Sequence, residues 1–217
     1  MTMRTRLTKA EQSQAFEYAR EMYEKNPYAR CFGGRGPAHK DQIINRIATG
    51  KMGEIAFAKL VRATTGYEVP VNLSQFVNTM DAEIKGHKVE ILTTTHYNAH
   101  MLINLDKLET AKSKGKLAEL YVLIHVSSDE TGAPTGNVTF RGFEELANLT
   151  TDSEDVRYVE KSDVIPGTKI KMAMDNFVVK EGKLKDNWYA MMNIINKTAP
   201  ATETIANWTS PRTSMAA

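Results

Sequence analysis

The segment from Met80 to Thr95 constrains the fold of this chain more than any other. Residues 82–85 alternate apolar and charged side chains, Gly86-His87 interrupts the alternation, and a second run begins at Lys88. Two such runs joined by a glycine-containing turn are typical of a β-hairpin, because successive side chains of a strand point to opposite faces. The pattern therefore predicts a β-hairpin.

Two acids occupy defined positions on this predicted hairpin. Asp81 stands at the start of the first strand, and Glu90 lies inside the second. The period of two gives the second strand one face with Val89, Ile91 and Thr93 and another with Lys88, Glu90 and Leu92. We therefore expect the carboxylates of Asp81 and Glu90 to meet at one end of a sheet.

A long predicted helix, from about Lys40 to Ala63, carries a third acid on its apolar side. The apolar and small residues of this side recur at steps of three and four: Ile43, Ile47, Gly50, Phe57, Ala58 and Val61. Glu54 falls in the middle of the stripe, where a buried carboxylate is unfavourable unless a cation or donor compensates it. An arginine or a helix end is the structural alternative to a metal ion. Gly50 and Gly53 leave space for another backbone or a metal site.

These acids resemble the motif of the PD-(D/E)XK nucleases, the superfamily of type II restriction endonucleases and many phage and repair nucleases. In that family an acid opens one strand and a later strand carries Glu-x-Lys between apolar residues. Here Asp81 and Val89-Glu90-Ile91-Leu92 occupy these positions; the acid spacing and the apolar flanks fit, and Met80 replaces the loosely kept proline. A preceding helix often presents Gly-x-x-Gly-Glu, which here is Gly50-Lys51-Met52-Gly53-Glu54. The resemblance covers about residues 40–127.

The resemblance implies both a fold and a chemistry. The implied fold is α/β, restriction-endonuclease-like, with a mixed β-sheet core flanked by helices. The implied activity is Mg²⁺-dependent hydrolysis of DNA phosphodiester bonds, with Mn²⁺ able to substitute. Asp81, Glu90 and the Ile91 carbonyl would bind the metal, and Glu54 would bind the same ion or a second one. Restriction enzymes of this type are commonly dimers, so a homodimer is expected by analogy.

The chain departs from the family motif at Leu92, which stands where the family has its catalytic lysine. Leucine has neither a charge nor a proton-transfer group, and general acid–base assistance contributes about 10²–10⁴ in rate. Three explanations remain open: an engineered inactivating substitution, transfer of the role to Lys88 or Lys85, or a natural pseudonuclease. A rival register, Asp81-x-Glu83-x-Lys85, crowds three charges onto one strand. The main alternative function is a non-catalytic DNA-binding or interaction protein on the same scaffold.

Positive charge concentrates in the N-terminal part of the sequence. Residues 1–65 contain twelve Lys or Arg and six Asp or Glu, a composition that suits phosphate binding or a solvated helix face. The 27–38 segment adds three glycines and two arginines, which allow close backbone approach and forked hydrogen bonding to a phosphate. The residues expected to contact nucleic acid are Arg30, Arg35, Lys40, Lys88 and His96.

The remaining sequence completes a single nuclease-like domain over residues 1–197. An N-terminal helix and basic loop are expected in 1–38, the catalytic core in 39–149 and a C-terminal elaboration in 150–197. Residues 119–126 are the most apolar run and predict a buried central strand. The 198–217 tail is expected to be flexible unless Trp208 docks.

Other classes of protein are disfavoured by composition. A single cysteine, Cys31, excludes an internal disulfide framework and indicates a reducing compartment. No run of about 18 apolar residues predicts a membrane helix, and the N-terminus lacks a signal-peptide core. We therefore expect a soluble, cytoplasmic protein, in the host cytoplasm if the chain belongs to a phage.

Overall fold

The computed structural model is of the α/β class and describes residues 2–25, 39–73, 81–151, 153–197 and 202–214. Its strands are β1 Arg4–Arg6, β2 Ala82–Ile84, β3 His87–Thr94, β4 Met101–Asn104, β5 Leu120–Ser128, β6 Pro134–Glu145, β7 Val156–Val159 and β8 Asn176–Val179. Its α-helices are α1 Lys9–Lys25, α2 Lys40–Thr65, α3 Leu105–Ser113, α4 Trp188–Lys197, α5 Thr202–Asn207 and α6 Pro211–Ser214. Short 3₁₀ helices follow β6 at Leu146–Asn148 and β8 at Glu181–Lys183.

The strands form two sheets. The five-stranded sheet has the order β1-β6-β5-β3-β2, and the three-stranded sheet has the order β4-β8-β7. Strand β1 pairs antiparallel with β6, so that Arg4 lies opposite Thr139 and Arg6 opposite Asn137. Strand β8 is antiparallel to both of its neighbours. Strand β5 is central and buried along most of its length, which confirms the prediction for residues 119–126.

Strands β2 and β3 form the predicted hairpin. Its two turn residues, Lys85 and Gly86, have φ angles of 51° and 83°, the left-handed conformation that two-residue hairpin turns require. The turn therefore starts one residue before the predicted Gly86-His87 position, and His87 already belongs to β3. The alternation is as predicted: His87, Val89 and Ile91 are buried, whereas Lys88, Glu90 and Leu92 are partly buried.

Helix α2 packs against β3 at a glycine. A Cβ atom built on Gly53 would lie 2.2 Å from Cγ2 of Thr93, so a larger residue could not occupy this position without a shift. The helix ends at Gly66, whose φ of 77° is left-handed and whose N–H donates to the Arg62 carbonyl at 2.9 Å. None of the described helices combines the length and the apolar composition needed to cross a bilayer.

The internal contacts of the chain divide it into two compact units. The first contains residues 1–82, 91–97 and 123–141, and the second contains 83–90, 98–122 and 142–217. Helices α1 and α2 and strand β1 belong to the first unit, and α3 to α6 with the three-stranded sheet belong to the second. A single domain over residues 1–197 stays a prediction.

The described C-terminal residues form two short helices, α5 and α6, joined by a non-helical segment that contains Trp208. Trp208 is 6% exposed, and its indole Nε1 donates to the Leu149 carbonyl at 3.1 Å. The Arg212 guanidinium forms ion pairs at 2.5–3.0 Å with three acids, Asp106, Glu109 and Asp175. Trp208 is therefore docked, which is the condition under which an ordered tail is expected from the sequence.

Candidate active site

Glu54 and Asp81 come together in the first unit. Glu54 lies on α2 with its side chain 16% exposed, and Asp81 immediately precedes β2. Burial, and then the nearby Asp81 carboxylate, raise the pKa of Glu54 to about 7, because both disfavour its ionised form. Glu54 and Asp81 therefore lie close enough to interact electrostatically, and the shared site expected for Glu54, Asp81 and Glu90 stays a prediction.

Lys51 is the cation of this cluster. Its Nζ donates to Oε2 of Glu54 at 2.5 Å and to the Asn72 carbonyl at 2.8 Å. It also lies 4.3 Å from the centroid of the Tyr18 ring, and its side chain is 5% exposed. A buried ammonium needs such compensation, which a carboxylate, a carbonyl and an aromatic face here provide.

Lys51 is not predicted as a site residue from the sequence, although its spacing from Glu54 contains a signal. Residues three positions apart on a helix share a face, so a lysine three residues before a buried glutamate is a natural partner for it. In the Gly-x-x-Gly-Glu pattern Lys51 stands at an unspecified position between the two glycines, so the pattern itself gives it no role.

Tyr18 of α1 lies beside the same charges. Burial is the largest cause that raises the pKa of its phenol, and the carboxylates of Glu54 and Asp81 raise it further. The phenol therefore keeps its proton near neutral pH, and its ring serves as the aromatic contact for Lys51. Tyr18, Lys51, Glu54 and Asp81 are called the acid cluster below.

The backbone of β3 orients Asp81. Its Oδ2 accepts a hydrogen bond from the N–H of Ile91 at 2.8 Å, which holds the carboxylate against the strand. Ile91 is the residue whose carbonyl the family motif assigns to the metal. The close approach at Gly53 and Thr93 brings α2 to the same strand, and Glu54 is the next helix residue after Gly53. Packing of α2 on β3 therefore positions Glu54, and the Ile91 N–H positions Asp81.

Glu90 and Leu92 lie on the same, partly buried side of β3, as the alternation of the strand predicted. Glu90 belongs to the second unit, where burial first and the Glu90 carboxylate second raise the pKa of Tyr121. Within the described parts of the chain, no three or more His, Cys, Asp or Glu side chains are grouped so as to hold a metal ion. The metal-binding role of Glu90 stays a prediction.

The two lysines considered as substitutes for the motif lysine have structural partners in the second unit. Nζ of Lys88 donates to the Gly115 carbonyl at 2.7 Å, and Nζ of Lys85 donates to Oδ1 of Asn196 at 2.9 Å. Each hydrogen bond ties the hairpin to another segment of its unit. These contacts favour a structural role for both lysines.

The residues predicted to contact nucleic acid have varied surroundings. Lys40 pairs with Glu24 at 2.5 Å and lies 5.0 Å from the centroid of the Tyr23 ring. His96 is exposed in the turn after β3, where its N–H donates to Oγ1 of Thr94 at 3.0 Å. Other residues singled out from the sequence lie outside the described residues: Arg30, Arg35 and the rest of the 27–38 segment with Cys31, and Met80.

Comparisons with protein-family models, with curated proteins and with solved structures find no match to this chain. The chemistry of the acid cluster is therefore the basis for a functional assignment. Mg²⁺ prefers oxygen ligands, commonly one or two carboxylates with waters completing its shell. Glu54 and Asp81 fit this preference, because a cation between them would relieve the repulsion that raises the pKa of Glu54.

Proposed function

We propose that this chain is a Mg²⁺-dependent endonuclease that hydrolyses phosphodiester bonds in DNA, on a restriction-endonuclease-like scaffold. The observation that supports this most strongly is the approach of Glu54 and Asp81, two acids from separate elements, in a partly buried site. The hydrogen bond from Ile91 to Asp81 adds support, because it fixes the hairpin acid at the strand that carries the motif.

In this proposal Glu54 and Asp81 are carboxylate ligands of the metal. The roles of Glu90 and of the Ile91 carbonyl follow from the motif resemblance alone. A bound Mg²⁺ would supply a more acidic water and neutralise charge on the phosphate, and Mn²⁺ is expected to substitute. The Ile91 N–H orients Asp81, and the burial of Glu54 strengthens its interaction with any nearby cation.

We assign to Lys51 the role of the motif lysine, which Leu92 cannot perform because it has no charge. In the family the motif lysine positions the attacking water and offsets phosphate charge. Lys51 places an ammonium 2.5 Å from Glu54 and is held there by the Asn72 carbonyl and the Tyr18 ring. With this assignment the chain is expected to be active with leucine at position 92.

The first test is plasmid nicking in Mg²⁺ or Mn²⁺ by the wild type, Asp81→Asn and Leu92→Lys. We expect the wild type to cut and Asp81→Asn to lose activity by about 10²-fold or more, since a metal ligand is removed. Glu83→Gln is the matched control: it alters an exposed acid of the same hairpin and also tests the rival register.

The outcomes separate the alternatives. Cutting by Leu92→Lys alone would identify an inactivated nuclease and remove the role given to Lys51. If neither the wild type nor Leu92→Lys cut the plasmid, the endonuclease proposal would be contradicted. That result would favour a non-catalytic DNA-binding protein, the alternative that Leu92 itself suggests.

The role of Lys51 needs its own variant. Lys51→Met keeps the length of the side chain and removes its charge, and it is expected to lower the nicking rate by about 10²-fold or more. Lys88→Met is the comparison variant, because it removes the charge of the alternative lysine, whose Nζ donates to the Gly115 carbonyl in the second unit. Thermal melting of both variants checks that they fold. Equal rates for folded Lys51→Met and the wild type would exclude the assignment.

A further inference from the structure

The first unit has a polar sheet face opposite helix α2. A Cβ atom on Gly53 of α2 would lie 3.9 Å from Cγ2 of Ile124, so Ile124 of β5 faces this helix. His125, the next residue, points to the other face because strand side chains alternate. That face carries a groove of about 610 Å³, lined by residues of β1, β5 and β6 and by Tyr97. We call it the Tyr97 groove.

The Tyr97 groove is positively charged. Arg4 and Arg6 of the edge strand β1 line it, both are exposed, and no acid is among its described lining residues. Neither guanidinium has an ion pair or hydrogen bond with any described residue. By contrast, Lys59 and Arg62 of the same unit pair with Glu11 and Glu68. The two arginines of β1 therefore present charge that the described chain does not compensate.

An aromatic ring is held at one side of this groove. Tyr97 is 45% exposed, and the Arg141 guanidinium carbon lies 3.8 Å from its ring centroid. The Tyr97 and His125 rings form a T-shaped pair, with centroids 5.2 Å apart and planes at 82°. A ring that is fixed by a cation and a histidine yet remains exposed is suited to stack on a nucleic-acid base.

His125 adds a hydrogen-bonding atom with no partner. It is 8% exposed, and within the described structure its Nδ1 has no hydrogen-bond partner. Its other ring nitrogen bonds the backbone of Thr95, and burial, with the charges of Arg141 and His96, lowers its pKa. The neutral ring then offers Nδ1 as an acceptor, and a buried acceptor without a donor is unfavourable.

We propose that the Tyr97 groove binds single-stranded nucleic acid, with a base stacked on Tyr97 and backbone phosphates contacted by Arg4 and Arg6. The two arginines favour a ligand with several phosphates. Tyr97 favours a single strand over a duplex, because the bases of a duplex already stack on one another and leave no face for the ring. Binding at this groove needs no metal ion. The inference therefore does not depend on the proposed nuclease activity.

Fluorescence anisotropy with a labelled oligothymidylate in EDTA tests this inference, because no cleavage can occur without metal. The wild type is expected to bind in low salt. Arg4→Gln with Arg6→Gln is expected to reduce the slope of log affinity against log salt by about 1.4, or about 0.7 for each lost phosphate contact. Tyr97→Ala is expected to weaken binding on the order of tenfold, and Tyr97→Phe to retain it.

The matched control removes two exposed charges elsewhere, by Arg157→Gln with Lys169→Gln in the second unit. Binding equal to the wild type is expected for this control, and thermal melting checks the fold of each variant. Absence of binding by the wild type, or equal weakening in the control and in the β1 variant, would overturn the inference. So would equal affinity for the single strand and for a duplex of the same length.

Discussion

Replacing Gly53 with alanine is expected to destabilise the protein, although alanine is the better helix former. The new Cβ would lie 2.2 Å from Cγ2 of Thr93, far inside the roughly 3.5–4.0 Å of an ordinary carbon–carbon contact. Overpacking of this kind costs about 1–3 kcal/mol, and the gain in helix propensity returns about 1 kcal/mol. Since 2.2 Å is a severe overlap, a cost of about 2–3 kcal/mol is expected here, which leaves a net loss of about 1–2 kcal/mol in the free energy of unfolding.

A double-mutant cycle with Thr93→Ser isolates the clash. Serine lacks Cγ2, and the next atoms that a Cβ on Gly53 would meet are Cβ of Thr93 at 3.6 Å and Cγ2 of Ile124 at 3.9 Å. Both are ordinary contacts. In the Thr93→Ser background, Gly53→Ala is therefore expected to stabilise by about 0.5–1 kcal/mol, which gives a coupling energy of about 2 kcal/mol.

Gly50→Ala is the matched control on the same helix. A Cβ there would meet only Oγ1 of Thr93, at 3.9 Å, so helix propensity alone predicts stabilisation by about 0.5–1 kcal/mol. Urea unfolding of the wild type and the four variants at one pH gives all of these energies. If Gly53→Ala stabilised the wild type as Gly50→Ala does, the packing of α2 on β3 described here would be wrong.

In metal-free buffer the contribution of Glu54 to stability, taken as the difference between the wild type and Glu54→Gln, is expected to fall by up to about 3 kcal/mol as pH rises from 4.5 to about 7. Over that range folded Glu54 keeps a proton that the unfolded chain has lost. Urea unfolding across this range checks it, and an equal slope in Glu54→Gln would refute the assignment. Trp208→Ala is expected to lower the unfolding free energy by about 3–5 kcal/mol, against little change for exposed Tyr189→Ala. Equal, small effects in the two variants would show that Trp208 does not anchor the C-terminal segment.

The parts of the fold that the sequence predicted have local signals. The hairpin appears in the alternation around Gly86, and α2 appears in its apolar stripe. Strand β5 is predicted by its uninterrupted apolar run. The approach of Glu54 and Asp81 was predicted only through the motif resemblance, because the two residues belong to separate elements.

The parts that the sequence did not predict depend on contacts between distant segments. Lys51 is compensated partly by the Asn72 carbonyl and by Tyr18 of another helix, and no local pattern records those contacts. The Tyr97 groove requires the pairing of β1 with β6, and β1 has only three residues, too few for a periodic signal.

Because the Lys51 side chain is buried, its chemical modification measures how often the native structure opens around it. Amine-reactive reagents acylate accessible lysines, and Lys51 is 5% exposed beneath Tyr18. Acylation at Lys51 thus records moments at which α1 lifts from α2, whereas acylation of exposed Lys9 proceeds without any opening. The ratio of acylation at Lys51 to acylation at Lys9, measured by mass spectrometry, would therefore report local opening between α1 and α2.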